Sequence, residues 1–296
     1  MGRFPARRER ARLIAEIANR AASAFSAHAA QALDRCDNAE APKRLLDAIG
    51  SLVPYAFAMS VVYRCEGAPD HVVDTFTDRD SRRAMQLYLE GTYILNPVYN
   101  ACLAGLKAGV YRLRELAPDN YFSSERYRQF KVRRQDDEEL GYLTYGWPAG
   151  MEEVVIVIEL PHGDLGEISL YRRASGGGFS AADFAALQAI EPLVGAIYRR
   201  IWQFRPRRER AGEAASPLDH LLADFGRGRL SPRECEVAHL ILKGHSGESI
   251  ARNLGISIAT VKTHRQNLYA KLGLATQQEL FSLFIRSLQE KNALPL

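Results

Sequence analysis

The chain predicts two packed units: an α+β unit whose antiparallel sheet is covered by helices, then a small all-α unit. Three observations carry this reading. Short runs rich in β-branched and aromatic residues recur between residues 57 and 171, and one of them, Val154-Val-Ile-Val-Ile158, is apolar at every position. Segments with helical spacing and capping residues flank these runs on both sides. Between Arg205 and Gly228 the composition turns to Arg, Pro, Gly and Glu, which reads as a linker; the units are then 1–204 and 229–296, joined by 205–228.

From Pro5 to about Leu33, the residues Leu13, Ile14, Ile17, Ala21 and Phe25 recur at helical spacing on an Ala-rich background, so one amphipathic helix is expected. A second helix falls at Pro42–Leu52. Strands are expected at Phe57–Tyr63, Val72–Phe76, Tyr142–Trp147, Val154–Leu160 and Ile168–Tyr171. A strand apolar at every position belongs at the centre of a sheet covered on both faces, which places Val154–Ile158 there. The covering helices are Ser81–Glu90, Asn96–Lys107 and Ser123–Lys131, with a long one from Ser180 to about Phe204. That helix opens on Ser180-Ala-Ala-Asp183, a capping box in its acidic variant, and Pro192 is expected to bend it.

Composition removes several classes. With 296 residues, 47% of them hydrophobic, the chain has enough apolar surface to fold. No run of eighteen apolar residues occurs and the first residues lack an apolar leader, so no membrane partner and a cytoplasmic location are expected. Cys36, Cys65, Cys102 and Cys235 show no metal-ligand spacing; neither a metal, a disulfide framework nor a cofactor is expected. His71 and His162 lack partners at metal or triad spacing, and neither a nucleophile elbow nor a phosphate loop is present, which argues against an enzyme. Charge is uneven: residues 27–198 carry 17 basic and 24 acidic residues, whereas 229–296 carry nine basic and five acidic. The C-terminal part therefore suits a polyanion.

In that part, Leu230-Ser-Pro-Arg-Glu234 places a Ser N-cap before Pro at the first helical position and Glu at the third, opening a helix to Lys243. Ser246–Leu254, the break Gly255-Ile-Ser257 and a helix Ile258–Leu272 follow, a helix-turn-helix arrangement. Stepping 100° per residue from Val261 brings Leu268 and Leu272 within about 20° of it and leaves Thr263, Gln266 and Ala270 opposite, with Lys262 at one edge. A polar outward face without acids suits the major groove of double-stranded DNA. Lys262, Thr263 and Gln266 are assigned to base edges; Thr260, His264, Arg265, Asn267 and Lys271 to backbone positioning or helix packing, with a buried structural role equally open to His264.

Leu230-Ser-Pro-Arg-Glu-Cys-Glu-Val237, Gly244–Ser257 and Thr260–Gly273 together resemble the LuxR/FixJ-type DNA-binding domain nearly end to end. The resemblance implies a four-helix domain that binds inverted-repeat sites as a homodimer, with base contacts from the positions held by Lys262, Thr263 and Gln266, and RNA polymerase as a partner. It also implies that the last helix, Thr276–Gln289, helps dimerise; Phe281, Phe284, Ile285 and Leu288 make it more apolar than one-sided packing needs. Ser249 stands where an acidic residue is common.

Tyr88–Val98, Gly141–Gly150 and Phe179–Phe184 are similar to the autoinducer-binding domain of quorum-sensing LuxR regulators, which implies a PAS/GAF-like α-β-α sandwich with a small molecule between sheet and helices. Asn96 replaces the family's Asp before Pro, and the Trp expected shortly before Tyr88 is missing, so a ligand other than a standard acyl-homoserine lactone is expected. The candidate ligand residues are Tyr88, Tyr93, Asn96, Tyr99, Tyr111 and Trp147; each has an alternative role, the aromatic ones as core and Asn96 as the N-cap of a helix begun by Pro97. Two functions are thus open: a DNA-binding regulator controlled by a small molecule, or a ligand-independent one whose N-terminal domain binds another protein or dimerises.

Overall fold

The computed structural model describes residues 7–64, 68–118, 130–133, 139–142, 150–205, 222 and 224–292. Its elements are helices α1 (Arg7–Asp34) and α2 (Ala41–Leu52), strands β1 (Phe57–Tyr63) and β2 (Asp70–Asp74), α3 (Arg79–Glu90), a 3-10 turn at Thr92–Leu95, and α4 (Pro97–Leu103). Strand β3 (Gly109–Arg112) and a one-turn helix α5 (Leu113–Leu116) lead to β4 (Phe130–Arg133), β5 (Glu139–Tyr142), β6 (Met151–Glu159), β7 (Leu165–Arg173) and α6 (Ala181–Phe204). Helices α7 (Pro232–Lys243), α8 (Gly247–Leu254), α9 (Ile258–Leu272) and α10 (Gln277–Asn292) complete the chain.

Five strands form one antiparallel sheet in the order β2-β1-β7-β6-β3. Alternation along a strand sends neighbouring side chains to opposite faces. Ala58, Val62, Val154, Ile156, Ile158, Ile168 and Leu170 pack with residues of α1, α2 and α6. Val61, Tyr63, Val155 and Val157 pack with Tyr93, Leu95, Val98 and Tyr99 on the other face. All five residues Val154–Ile158 are fully buried, as a strand between two helical layers requires, and the α-β-α sandwich follows.

Three expectations need correction. Gly109–Arg112 was assigned no strand, yet it pairs with β6 from Val154 to Val157 and forms the sheet edge. The expected helix Ser123–Lys131 ends instead in β4, which pairs with β5 in a separate two-stranded ribbon; the rest of that helix, 123–129, and 143–147 of the expected strand Tyr142–Trp147 lie outside the described residues. The helix expected at Asn96–Lys107 stops at Leu103. The long α6 carries its capping box as read: Ser180 Oγ accepts from the Asp183 amide at 3.1 Å and the Asp183 carboxylate accepts from the Ser180 amide at 2.9 Å.

In the C-terminal unit, Ser231, Ser246 and Ser257 each cap a helix, accepting the amide hydrogens of Glu234, Ser249 and Thr260. Gly255 sits at φ 62°, the left-handed conformation that lets α8 turn into α9. Val237, Ile241, Ile250, Val261, Leu268, Phe281 and Phe284 are buried together. Phe281, Phe284 and Ile285 are thus consumed by the chain's own core, with the Phe284 ring edge-on to Phe225 at 5.3 Å, so these three have an internal explanation, while the Leu288 side chain lies outside the described residues.

Candidate functional site

Helix α9 presents the face its periodicity predicts. Val261, Leu268 and Leu272 point inward, while Thr260, Lys262, Thr263, Gln266, Asn267 and Ala270 are exposed. Among the described residues the side chains of Lys262 and Gln266 make no hydrogen bond, which leaves their donors and acceptors available. Thr263 Oγ1 donates back to the Ala259 carbonyl at 3.2 Å, and Thr260 is tied to the cap through Ser257 Oγ at 2.8 Å. His264 and Arg265 are half-buried, and the Arg265 guanidinium lies over the Tyr269 ring.

Lys271 has a different place. Its ammonium lies 2.7 and 2.9 Å from the two carboxylate oxygens of Glu234, which is buried and also accepts the Ser231 amide at 2.7 Å. The hydrogen bond from Lys271 and the bond from the Ser231 amide hold Glu234 below the usual carboxylate range. Of the two roles open to Lys271, the structure displays packing of α9 against α7.

On the α4 side of the sheet, Tyr88, Tyr93, Asn96 and Tyr99 converge. The Tyr93 ring is fully buried, edge-on to Tyr99 at 5.0 Å and 6.4 Å from Tyr88. Asn96 acts twice: its carbonyl caps α4 by accepting from the Val98 amide at 2.7 Å, and its NH2 donates to the Tyr88 hydroxyl at 2.9 Å. Tyr111 stands apart on the edge strand, where its hydroxyl donates to the Lys107 carbonyl at 3.0 Å. Trp147 lies outside the described residues.

Around this group the sheet contributes residues that sequence reasoning missed. Tyr63 on β1 hydrogen-bonds Tyr88 at 2.5 Å and donates to Glu167 on β7. Ser169, two residues on and so on the same face, bonds both Glu167 and Glu153 of β6. Register explains the meeting: Glu153 pairs with Tyr171, Val155 with Ser169, and Val61 with Glu167. The signal was present as Glu167-Ile-Ser169-Leu-Tyr171, a polar residue at every second position. The strand begins at Leu165, three residues before the expected Ile168, and so includes Glu167.

A helix-turn-helix with a free polar face is carried by many bacterial regulators, and the comparisons decide among them. Residues 229–284 match the model described as "Bacterial regulatory proteins, luxR family". An HTH-type transcriptional regulator encoded in the exeN 3′ region of Aeromonas salmonicida is 31% identical over 201 residues, spanning 65% of this chain and 94% of that protein. The chain belongs to the luxR family of transcriptional regulators. The transcriptional regulatory protein MctR of Rhizobium johnstonii is 49% identical over 51 residues, 17% of this chain and 24% of that protein. The crystal structure of the VqsR LBD domain from Pseudomonas aeruginosa superposes with a TM-score of 0.48 at 17% identity, over 62% of this chain and 99% of that one. Membership in the luxR family makes this a DNA-binding regulator of transcription rather than a member of an enzyme family. Among the described residues no helix is long and apolar enough to cross a membrane.

Proposed function

We propose that this luxR-family regulator binds an inverted-repeat site in double-stranded DNA as a homodimer, with Lys262, Thr263 and Gln266 at base edges, under the control of a small molecule held in its N-terminal domain. Thr260, His264, Arg265 and Asn267 position the helix on the backbone or within its own packing. The protein acts in the cytoplasm and meets RNA polymerase at the promoter. The DNA side rests on one observation: the outward face of α9 is exposed, polar and free of acids.

The ligand side rests on the polar groups gathered beneath α3 and α4. A core filled only for stability favours apolar side chains, because buried carboxyls and hydroxyls are costly unless every one is bonded. Here Tyr63, Tyr88, Asn96, Glu153, Glu167 and Ser169 share one face. Asn96 stands where the resemblance places a carboxylate to accept the ligand's amide hydrogen, and its carbonyl is already taken by the Val98 amide, so a standard acyl-homoserine lactone is not the expected ligand. A ligand-independent reading, with the domain serving as a dimerisation or protein-binding module, draws support from the way these groups bond one another.

Redox control has little to work with at Cys102, whose thiol burial and Glu167 push up to about 12.

Selection of binding sequences from a random DNA pool tests the first reading; it predicts two symmetric half-sites about one helical turn apart, or a multiple of that. A single asymmetric half-site would refute the homodimeric arrangement. Native mass spectrometry of the full-length protein tests the second: a dimer carrying an extra mass released on denaturation supports a small ligand, and a bare dimer that gains no mass in a metabolite screen supports the module.

A further inference from the structure

Ser169 Oγ lies 2.7 Å from Glu153 Oε1 and 2.5 Å from Glu167 Oε1. A serine hydroxyl owns one hydrogen, so it donates to one of these oxygens, and the other contact needs a hydrogen from the carboxyl side. The direction of the rest of the network shows which. The Asn96 carbonyl is occupied by the Val98 amide at 2.7 Å, which turns its NH2 toward Tyr88 at 2.9 Å. Tyr88 has its own hydrogen left for Tyr63, 2.5 Å away, and Tyr63 donates to Glu167 Oε2. Glu167 then completes its set as the acceptor of Ser169, and the hydrogen that remains to be supplied sits on Glu153.

We propose that Glu153 and Glu167 hold a single proton between them, resident on Glu153, and that its release makes this face of the N-terminal domain a pH-responsive element. The inference stands whether or not a small molecule occupies the domain.

The surroundings agree with it. Glu167 is fully buried and Glu153 half-buried. They face Tyr63 from β1, Tyr88 from α3, Cys102 from α4, Tyr198 from α6 and Tyr171 from β7, whose hydroxyl also bonds Glu153. Among the described residues no Lys, Arg or His offsets either charge. The nearby arginines are engaged elsewhere, Arg112 by Glu152 and Arg172 by Asp183. Burial, then the neighbouring Glu167, pushes Glu153 up to about 8; burial also raises Glu167.

Below that range Glu153 is a neutral acid that donates to Ser169. Above it, two carboxylates flank the one hydrogen of Ser169, which goes to Glu167 and leaves Glu153 with the Tyr171 hydroxyl alone. The chain Tyr88–Tyr63–Glu167 ties α3 to the sheet, so repulsion at Glu167 loosens α3 as the pH rises.

The test uses the full-length protein. Infrared difference spectra between about pH 6.5 and about pH 9.5 should show loss of one protonated carboxylic C=O band per chain, absent from Glu153→Gln. The thermal midpoint of the wild type should fall as the pH climbs from the ordinary carboxylate range to about 8 and level off above it, while that of Glu153→Gln stays level throughout, because the glutamine NH2 donates to Ser169 as the acid does. Midpoints that fall in parallel, or a carboxylic band that persists in Glu153→Gln, overturn the proposal. If the variant does not fold, the wild-type spectrum decides: a protonated carboxyl present at the lower pH and lost at the higher supports the shared proton, and its absence at the lower pH overturns it.

Discussion

The outward face of α9 and the inner face of the sheet both gather polar side chains, and they do so under opposite constraints. The side chains of Lys262 and Gln266 stay in water and make no hydrogen bond among the described residues, so they keep their full capacity for a partner at little cost to folding. Glu167, Ser169 and Tyr63 are buried and already bonded, and each exists there only because its neighbours satisfy it. Substitutions on the first face should therefore change binding and leave stability alone, whereas those on the second should change stability first.

The largest expected effect is on the buried side. Tyr93→Ala empties a fully buried site packed by Tyr99 and should lower unfolding stability by about 3–5 kcal/mol. Denaturant unfolding of the N-terminal unit measures it, and a loss under about 1 kcal/mol would mean that the site is loosely packed. Tyr63→Phe is the milder test: it removes the donor to Glu167 and the acceptor of Tyr88, for an expected loss of about 1–3 kcal/mol by the same measurement.

On the exposed side, Lys262→Ala should weaken operator binding by about 1–3 kcal/mol and relax preference at one base pair, with an unchanged melting temperature. A drop in melting temperature matching the loss of affinity would erase the contrast between the two faces.

pH offers a sharper comparison. A carboxyl raised in the folded state contributes stability that is fully present below its ordinary value and lost as the pH climbs through its raised one. For Glu153 the decline runs from the ordinary carboxylate range up to about 8. Glu234, lowered by Lys271, has the opposite sign: its contribution is present above the ordinary carboxylate value and disappears as the pH falls through the lowered one. The N-terminal unit should thus lose stability as the pH rises toward about 8 and the C-terminal unit as it falls below the ordinary carboxylate value, resolved by calorimetry of the two transitions.

The smallest effect concerns Lys271. Its charge is already met by Glu234, so Lys271→Ala should leave the salt dependence of DNA binding within experimental error. A salt slope lower by about one unit would show that the lysine leaves Glu234 for a phosphate in the complex.

These two faces also differ in how far the sequence discloses them. The α9 face is written into fifteen consecutive residues, and the 100° step from Val261 sorts buried from exposed positions along almost all of them. The cap residues Ser180 and Ser231 and the turn at Gly255 were equally legible, since each acts on its own next few residues. Strand β3 escaped notice because Gly109-Val-Tyr-Arg112 is four residues long and takes its identity from pairing with β6. Tyr111, grouped with the other tyrosines by type, belongs to that edge strand instead.

What the amino-acid sequence determined alone is whatever depends on near neighbours: the helices, their caps, the polar face of α9 and the family signature in residues 229–284. Tertiary structure decided the rest. Glu153 and Glu167 are fourteen positions apart, and only the antiparallel register of β6 on β7 brings them to opposite sides of one hydroxyl. Lys271 and Glu234, on different helices, meet only because α9 packs on α7. Periodicity shows which way a side chain points within its own element, but it carries no information about what waits on the element opposite.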